Sequence, residues 1–215
     1  MKAYMREPIN GLTHLGGAVF AFVGLLALVI KASLERGASL AIVAAIIFGV
    51  SMMALYAVSA TYHMVLASDR AIAIWRRLDH SMIYLLIAGS YAPFCLVSLN
   101  GPTGWVLFSI VMLIAVSGIT FKLVWFNSPR WLSTTLYIGM GWIMVFAITP
   151  LAQVLSPLGI GLLFLGGIFY TIGGIIYGLK PRVLSFKHLG FHEIFHIFVL
   201  LGSLAHFLCV YFFVL

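Results

Sequence analysis

The feature that most limits what this chain can become is a succession of seven apolar runs, each about twenty residues long, separated by short polar breaks. A run of that length, coiled at 1.5 Å per residue, matches the roughly 30 Å hydrocarbon core of a bilayer. No water reaches that core, so each backbone N–H and C=O must find its partner inside its own segment. The α-helix does this for every residue. The runs fall near 12–31, 39–65, 78–99, 104–124, 131–152, 158–179 and 191–213, and they predict an all-α membrane protein, a single seven-transmembrane helix bundle over 1–215. With 63% hydrophobic and 8% charged residues the chain is far from the ~25% charged content of soluble domains. The first run is too long for a signal-peptide core, lacks a small-residue cleavage site and is followed by further runs, so it reads as a span.

The breaks differ in charge. Lys2, Arg6, Arg70, Arg76, Arg77, Lys122, Arg130, Lys180, Arg182 and Lys187 fall at one side of the alternation, and only Lys31 and Arg36 at the other. Glu35-Arg36-Gly37, Asn100-Gly101-Pro102 and Ser156-Pro157-Leu158-Gly159 carry turn signals and few charges. Basic loops stay on the cytoplasmic side, which predicts a cytoplasmic N-terminus and an external C-terminus. The net charge of +7 therefore does not imply nucleic acid, because the basic residues are dispersed between apolar runs rather than gathered in a patch with aromatics. The expected partners are membrane lipids; nothing in the sequence specifies an oligomeric state. Cys95 and Cys209 lack any metal-binding or redox spacing and read as buried fillers. Pro93 predicts a kink in span three, Gly174 and Gly178 close helix packing, and Trp75, Trp105 and Trp131 interfacial anchors.

With that orientation the buried polar residues collect at one membrane depth. Span two ends with Ser59 and His63, span three starts with Asp79 and His80, span seven starts with His192, Glu193 and His196, and span one starts with Glu7, Asn10, Thr13 and His14. An ionisable side chain at the centre of a span costs about 2.5–3.5 kcal/mol, so such a cluster needs a reason. His192 and His196 lie four residues apart, about 40° around a helix and about 6 Å along it, the spacing for two imidazoles to share one metal ion. His63 can supply a third nitrogen. Three protein ligands and an open fourth position describe a catalytic zinc, and Zn2+ is the expected cofactor. Asp79 can accept a proton there, and Ser59, one turn from His63, can orient water or stabilise an oxyanion.

Plainer roles remain open for each. Asp79 can pair with Arg76 or Arg77, and Ser59 can bond back to its own helix. Glu7, Asn10 and His14 read as a polar cluster fixing span one, His80 and His188 as surface or headgroup residues, and His206 as a buried hydrogen-bonder about 15 Å beyond His196. His192-Glu193-Ile194-Phe195-His196 also fits H-E-x-x-H, the zinc-protease pattern, with Glu193 as base and Asp79 as third ligand. That reading leaves Ser59 and His63 without a task.

The order Ser59-Ala-Thr-Tyr-His63, then Leu78-Asp79-His80-Ser81-Met82, then His192-x-x-x-His196 resembles the bacterial hemolysin III proteins, which are grouped with the progestin and adiponectin receptors and more distantly the alkaline ceramidases. Glu7-Pro8-Ile9-Asn10-Gly11-Leu12-Thr13-His14 and Leu201-Gly202-Ser203-Leu204-Ala205-His206-Phe207 also resemble that family, so the likeness covers nearly the whole chain. It implies a seven-helix protein of the bacterial plasma membrane, with zinc on His63, His192 and His196 and with Asp79 and Ser59 beside the metal-bound water. Glu193 has no assigned role in the family pattern and reads as local variation. The long N-terminal domain of the eukaryotic receptors has no counterpart here, so hormone reception is not expected. The expected activity is zinc-dependent hydrolysis of a lipid amide or ester. The alternatives are a lipid-sensing or membrane-homeostasis factor with structural zinc, and a cytolysin. The last lacks a secretion signal or an amphipathic pore segment in its favour.

Overall fold

The computed structural model describes residues 4–36, 39–184, 186 and 189–215. Lys2, Gly37, Lys187 and His188 lie outside the described residues. Seven helices are long and apolar enough to cross a membrane: Pro8–Glu35, Ser39–Met64, Asp69–Ser98, Pro102–Val124, Arg130–Val154, Pro157–Leu179 and Phe191–Val214, called here spans one to seven. Spans adjacent in sequence pack side by side, most extensively one on two, two on three and six on seven. Large side chains such as Phe48, Tyr56, Tyr84 and Phe94 fill the interior. Others such as Phe20, Leu113 and Phe146 stand exposed around the outside, where lipid replaces water as the solvent.

Cross-contacts define one end of the bundle. Glu7 before span one meets His63 at the end of span two, His80 of span three meets Tyr177 at the end of span six, and Arg76 lies over Phe126 just after span four. Arg130 at the start of span five also lies over Tyr177. The starts of spans one, three, five and seven and the ends of two, four and six therefore share this end, as alternation requires.

The helices depart from the sequence reading at spans three and five, and the irregularity expected at Pro93 is present. Span three begins at Asp69, not near 78. Its first turns carry Asp69, Arg70, Arg76 and Arg77, so hydropathy alone passes over them. Ser68 caps them, its hydroxyl accepting from the Ala71 N–H at 3.4 Å. Pro93 ends the regular helix of span three, and the chain continues as a π-helical turn over Phe94–Ser98. The proline has no N–H to give, and its ring crowds the carbonyl one turn back. Span five, expected to be continuous over 131–152, is broken into Arg130–Trp142, a 3-10 turn Ile143–Ala147 and Ile148–Val154. Tyr91 of span three causes part of this break. Its hydroxyl lies 2.8 Å from the Met140 and Gly141 carbonyls and accepts from the Met144 N–H at 2.9 Å, taking the place of the helix's own ladder. Pro150 removes a further N–H just beyond.

The glycine expectation holds at the span five–span six contact, where a Cβ on Gly174 would come within 3.2 Å of Ile138 Cδ1. It is sharper between spans six and seven: a Cβ on Gly166 would fall on the His206 ring. Cys95 and Cys209 are buried free thiols, the latter donating to the Gly159 carbonyl at 3.1 Å. Trp105 and Trp131, near the helix starts, are exposed.

Candidate metal centre

His63 is carried by the last turn of span two, and His192 and His196 by the first turns of span seven. Their ligand atoms all lie within 4.8 Å of one another. His63 Nε2 and His192 Nε2 are 3.3 Å apart, and the His196 ring centroid is 4.9 Å from that of His63 and 4.6 Å from that of His192. Two imidazole nitrogens on a tetrahedral zinc, each bonded at about 2.0–2.1 Å, stand about 3.3–3.4 Å apart, so the pair fits two corners of such a site. His63 and His196 are almost fully buried, at 1% and 2% exposure. The group can hold a metal ion.

The surrounding side chains prepare it. His63 Nδ1 lies 2.5 Å from the Glu7 carboxylate. That hydrogen bond holds the Glu7 carboxyl well below the usual range, at about 2. Glu7 therefore stays ionised at neutral pH and accepts a hydrogen bond from Nδ1–H, which leaves the lone pair on Nε2, facing His192. A carboxylate behind a ligand histidine fixes both tautomer and ring orientation. Glu7 is itself held by its own N–H, which donates to the His63 carbonyl at 2.9 Å, and by Arg6, whose Nε lies 3.7 Å away. Glu7→Gln keeps the shape but loses the ionised acceptor; zinc affinity should fall about 10–100-fold, read by competition with a chromophoric chelator, and an unchanged affinity would remove Glu7 from the site.

Glu193 is not idle local variation. Its Oε2 accepts from the Gly190 N–H at 2.8 Å, capping span seven, and its Oε1 accepts from Asn10 Nδ2 at 2.9 Å. Both oxygens are engaged away from the histidine pair, which takes the base out of the H-E-x-x-H protease reading. Asn10, at 2% exposure, thus ties span one to span seven as the polar cluster was expected to. His14 does more than that. Its ring stacks on His196 with centroids 3.6 Å apart and planes within 9°.

Below the histidines lies a mainly apolar cavity of about 140 Å³ lined by residues of spans one, two, three, five, six and seven. Asp79, Ser59, His14 and His196 line the end nearest the ligands, and His206 lines it further along. Ser59 of span two, 1% exposed, and Asp79 of span three meet at this end of the cavity. Among the described residues Asp79 has no ion pair with Arg76 or Arg77, whose guanidinium groups instead lie 5.0 and 5.8 Å from the Phe126 ring centre. His206 is the buried hydrogen-bonder expected, its Nε2 3.2 Å from the Leu163 carbonyl. His80 corrects its expectation. It is not a surface residue but is largely enclosed, with Nδ1 2.9 Å from the Arg76 carbonyl and Nε2 2.9 Å from the Tyr177 hydroxyl, joining span three to span six. Sequence reasoning gave no part to Glu7 as the partner of His63, nor any to Tyr177 and Arg130. The one available signal was a carboxylate placed immediately before an apolar run with no basic residue one turn on.

The model of the haemolysin-III related family matches residues 2–207 of this sequence. The chain belongs to that family. It is 41% identical to Hemolysin-3 of Bacillus cereus over 216 residues, covering all of this chain and 95% of the relative. It is 42% identical to the Hemolysin-3 homolog of Bacillus subtilis over 214 residues, covering 99% and 96%. A more distant likeness, 23% over 169 residues, joins it to the human monocyte to macrophage differentiation factor, across 77% of this chain and 68% of that one. With seven candidate spans and these bacterial homologues, it is a multi-pass membrane protein.

Proposed function

We propose that this protein is a zinc-dependent hydrolase of an amide or ester bond in a membrane lipid. The observation that carries the reading is the junction of three clustered imidazoles, two of them buried, with an apolar cavity that His196 lines together with Asp79 and Ser59. A structural staple would need the histidines alone; an acyl chain needs the cavity. His63, His192 and His196 would hold the ion, which when bound brings the pKa of a water near 7 and polarises a carbonyl. The chain's own residues supply the rest. Asp79 takes the proton as water adds to the acyl carbon, and returns it to the nitrogen or oxygen of the departing group as the bond to that group breaks. Ser59 orients the Asp79 carboxylate. The apolar wall seats the acyl chain and keeps bulk water from the acyl carbon. The basic residues of the sequence favour the same end of the alternation, which supports a cytoplasmic position for the site near the inner headgroups.

The purified protein, incubated with a fluorescent lipid amide and the matching ester, should release fatty acid. A chelator should stop the release and added zinc restore it, with metal content following both. Full turnover by metal-free protein would end the proposal.

One observation favours a second reading, a non-enzymatic membrane-homeostasis or lipid-sensing factor. The ligands come from spans two and seven, which are otherwise joined nearby by the Tyr56 hydroxyl bonding Ser203 Oγ at 2.6 Å. An ion there would tie the two helices whether or not any chemistry followed.

A further inference from the structure

On the far side of the histidines from the apolar cavity the bundle opens into a polar vestibule of about 350 Å³. His63 and His192 form its floor, and Glu7, Glu193, Arg76 and Arg130 stand in its walls. The candidate metal centre thus sits between two chambers, one apolar and one charged. The charges do not balance locally. Glu7 is engaged by His63 and Arg6, and Glu193 by the Gly190 N–H and Asn10. Of the other three carboxylates in the chain, Glu35 pairs with Lys31, Asp79 lies beside Ser59 and His80, and Asp69 opens span three. Among the described residues no carboxylate forms an ion pair with Arg76 or Arg130.

Arg130 is the sharper case. Its guanidinium lies 4.9 Å over the Tyr177 ring and 5.9 Å from Phe191, so its faces are held. Its Nη1 is closed off from solvent and has no hydrogen-bond acceptor among the described residues. A charged donor removed from water without an acceptor is costly, and the compact remedy is an anion. Two further cations raise the potential on the same side. Lys122, 3% exposed, has the Ser128 hydroxyl at 3.0 Å as its hydrogen-bond partner, and Lys180 lies 5.6 Å over Phe191. An arginine that only anchored a helix in the headgroups would reach outward with its donors in water, as the exposed Arg70 can; Arg76, also exposed, lines the vestibule, which Arg70 does not. Arg130 is instead fixed by two aromatic rings at the wall of the chamber that the ligand histidines floor.

We propose that the vestibule binds a phosphate-type anion through Arg130 and Arg76. A guanidinium fork suits phosphate oxygens, and the aromatic rings hold it ready. The chamber shares Tyr177 with the apolar cavity, so the matching occupant is the headgroup of an acidic phospholipid whose chain enters that cavity. The lipid would then be anionic at its headgroup, not neutral. As a statement about substrate this rests on the hydrolase reading; as a statement about binding it stands apart from it.

The test is a fluorescence or calorimetric titration of the full-length protein in uncharged detergent, with dihexanoyl phosphatidic acid and with dihexanoylglycerol. Wild type should bind the acidic lipid at least about tenfold more tightly, in zinc-loaded and chelator-treated protein alike. Arg130→Gln should reduce that preference to about threefold or less and Arg76→Gln should weaken it, while Arg70→Gln should match wild type. The Arg76 variant keeps the test open if Arg130→Gln does not fold. Inorganic phosphate competing at equal strength would support the anion site with free phosphate as occupant; failure to compete, with the lipid preference intact, would support the headgroup. Equal affinity for the charged and neutral lipids, or a preference unchanged in both arginine variants, overturns the proposal. A charge preference without lipid turnover would retire the hydrolase reading alone, and turnover indifferent to headgroup charge would retire this one alone.

Discussion

His192→Ala will leave the protein folded, free of bound zinc and at least about 10³-fold slower in lipid turnover. The size follows from the site's construction. With three imidazoles converging on one point, removing one leaves two, too few to retain zinc against water and buffer. His192 is the better choice because it is only partly buried and, beyond His63 and His196, its ring meets only the aromatic rings of Phe191, Phe195 and Tyr177 among the described residues. His63→Ala empties the same site, but it also strips the partner from the Glu7 carboxylate and opens a hole in a position only 1% exposed, which confuses loss of metal with loss of fold. Zinc per chain, helical content by circular dichroism and fatty-acid release, measured on one preparation, separate these effects. Retained turnover at zero zinc would contradict the proposed chemistry.

Asp79→Asn should lower turnover by about 10²–10⁴-fold and leave zinc content and thermal stability near wild type. The amide keeps the volume and can still meet the Ser59 hydroxyl, but it cannot take up the proton released as water adds to the acyl carbon. This variant decides between the two functional readings. If the ion only ties spans two and seven together, Asp79 has no work to do and the change passes unnoticed in any assay of membrane homeostasis. Loss of function with metal and fold intact speaks for catalysis. Unchanged activity removes Asp79 from the catalytic role.

Much of the site was legible because its signals are local. His192 and His196 share a helix face by spacing alone, and His63 and Asp79 fall at the same depth once the spans alternate. What was not legible depended on which helix faces meet. Glu193 sits inside a zinc-protease pattern, yet its oxygens are drawn off by Gly190, its own helix start, and by Asn10 of span one. His80 looks like a headgroup residue beside Asp79, yet the hydroxyl of Tyr177 from span six holds it in. Span five reads as one helix by hydropathy, and the phenol that interrupts its ladder belongs to span three.

The apolar runs by themselves determined a seven-helix membrane protein, because a bilayer core forces each segment to satisfy its own backbone and length alone says whether it can cross. The histidines marked the candidate metal centre for a related reason: ionisable groups are too costly in that core to be there without a partner. Only the packing of the helices decided what stands behind and around those histidines. Glu7 on the Nδ1 of His63, His14 stacked on His196 and Arg130 held between two rings are side-chain contacts across spans, and hydropathy along a chain carries no record of rotation about a helix axis.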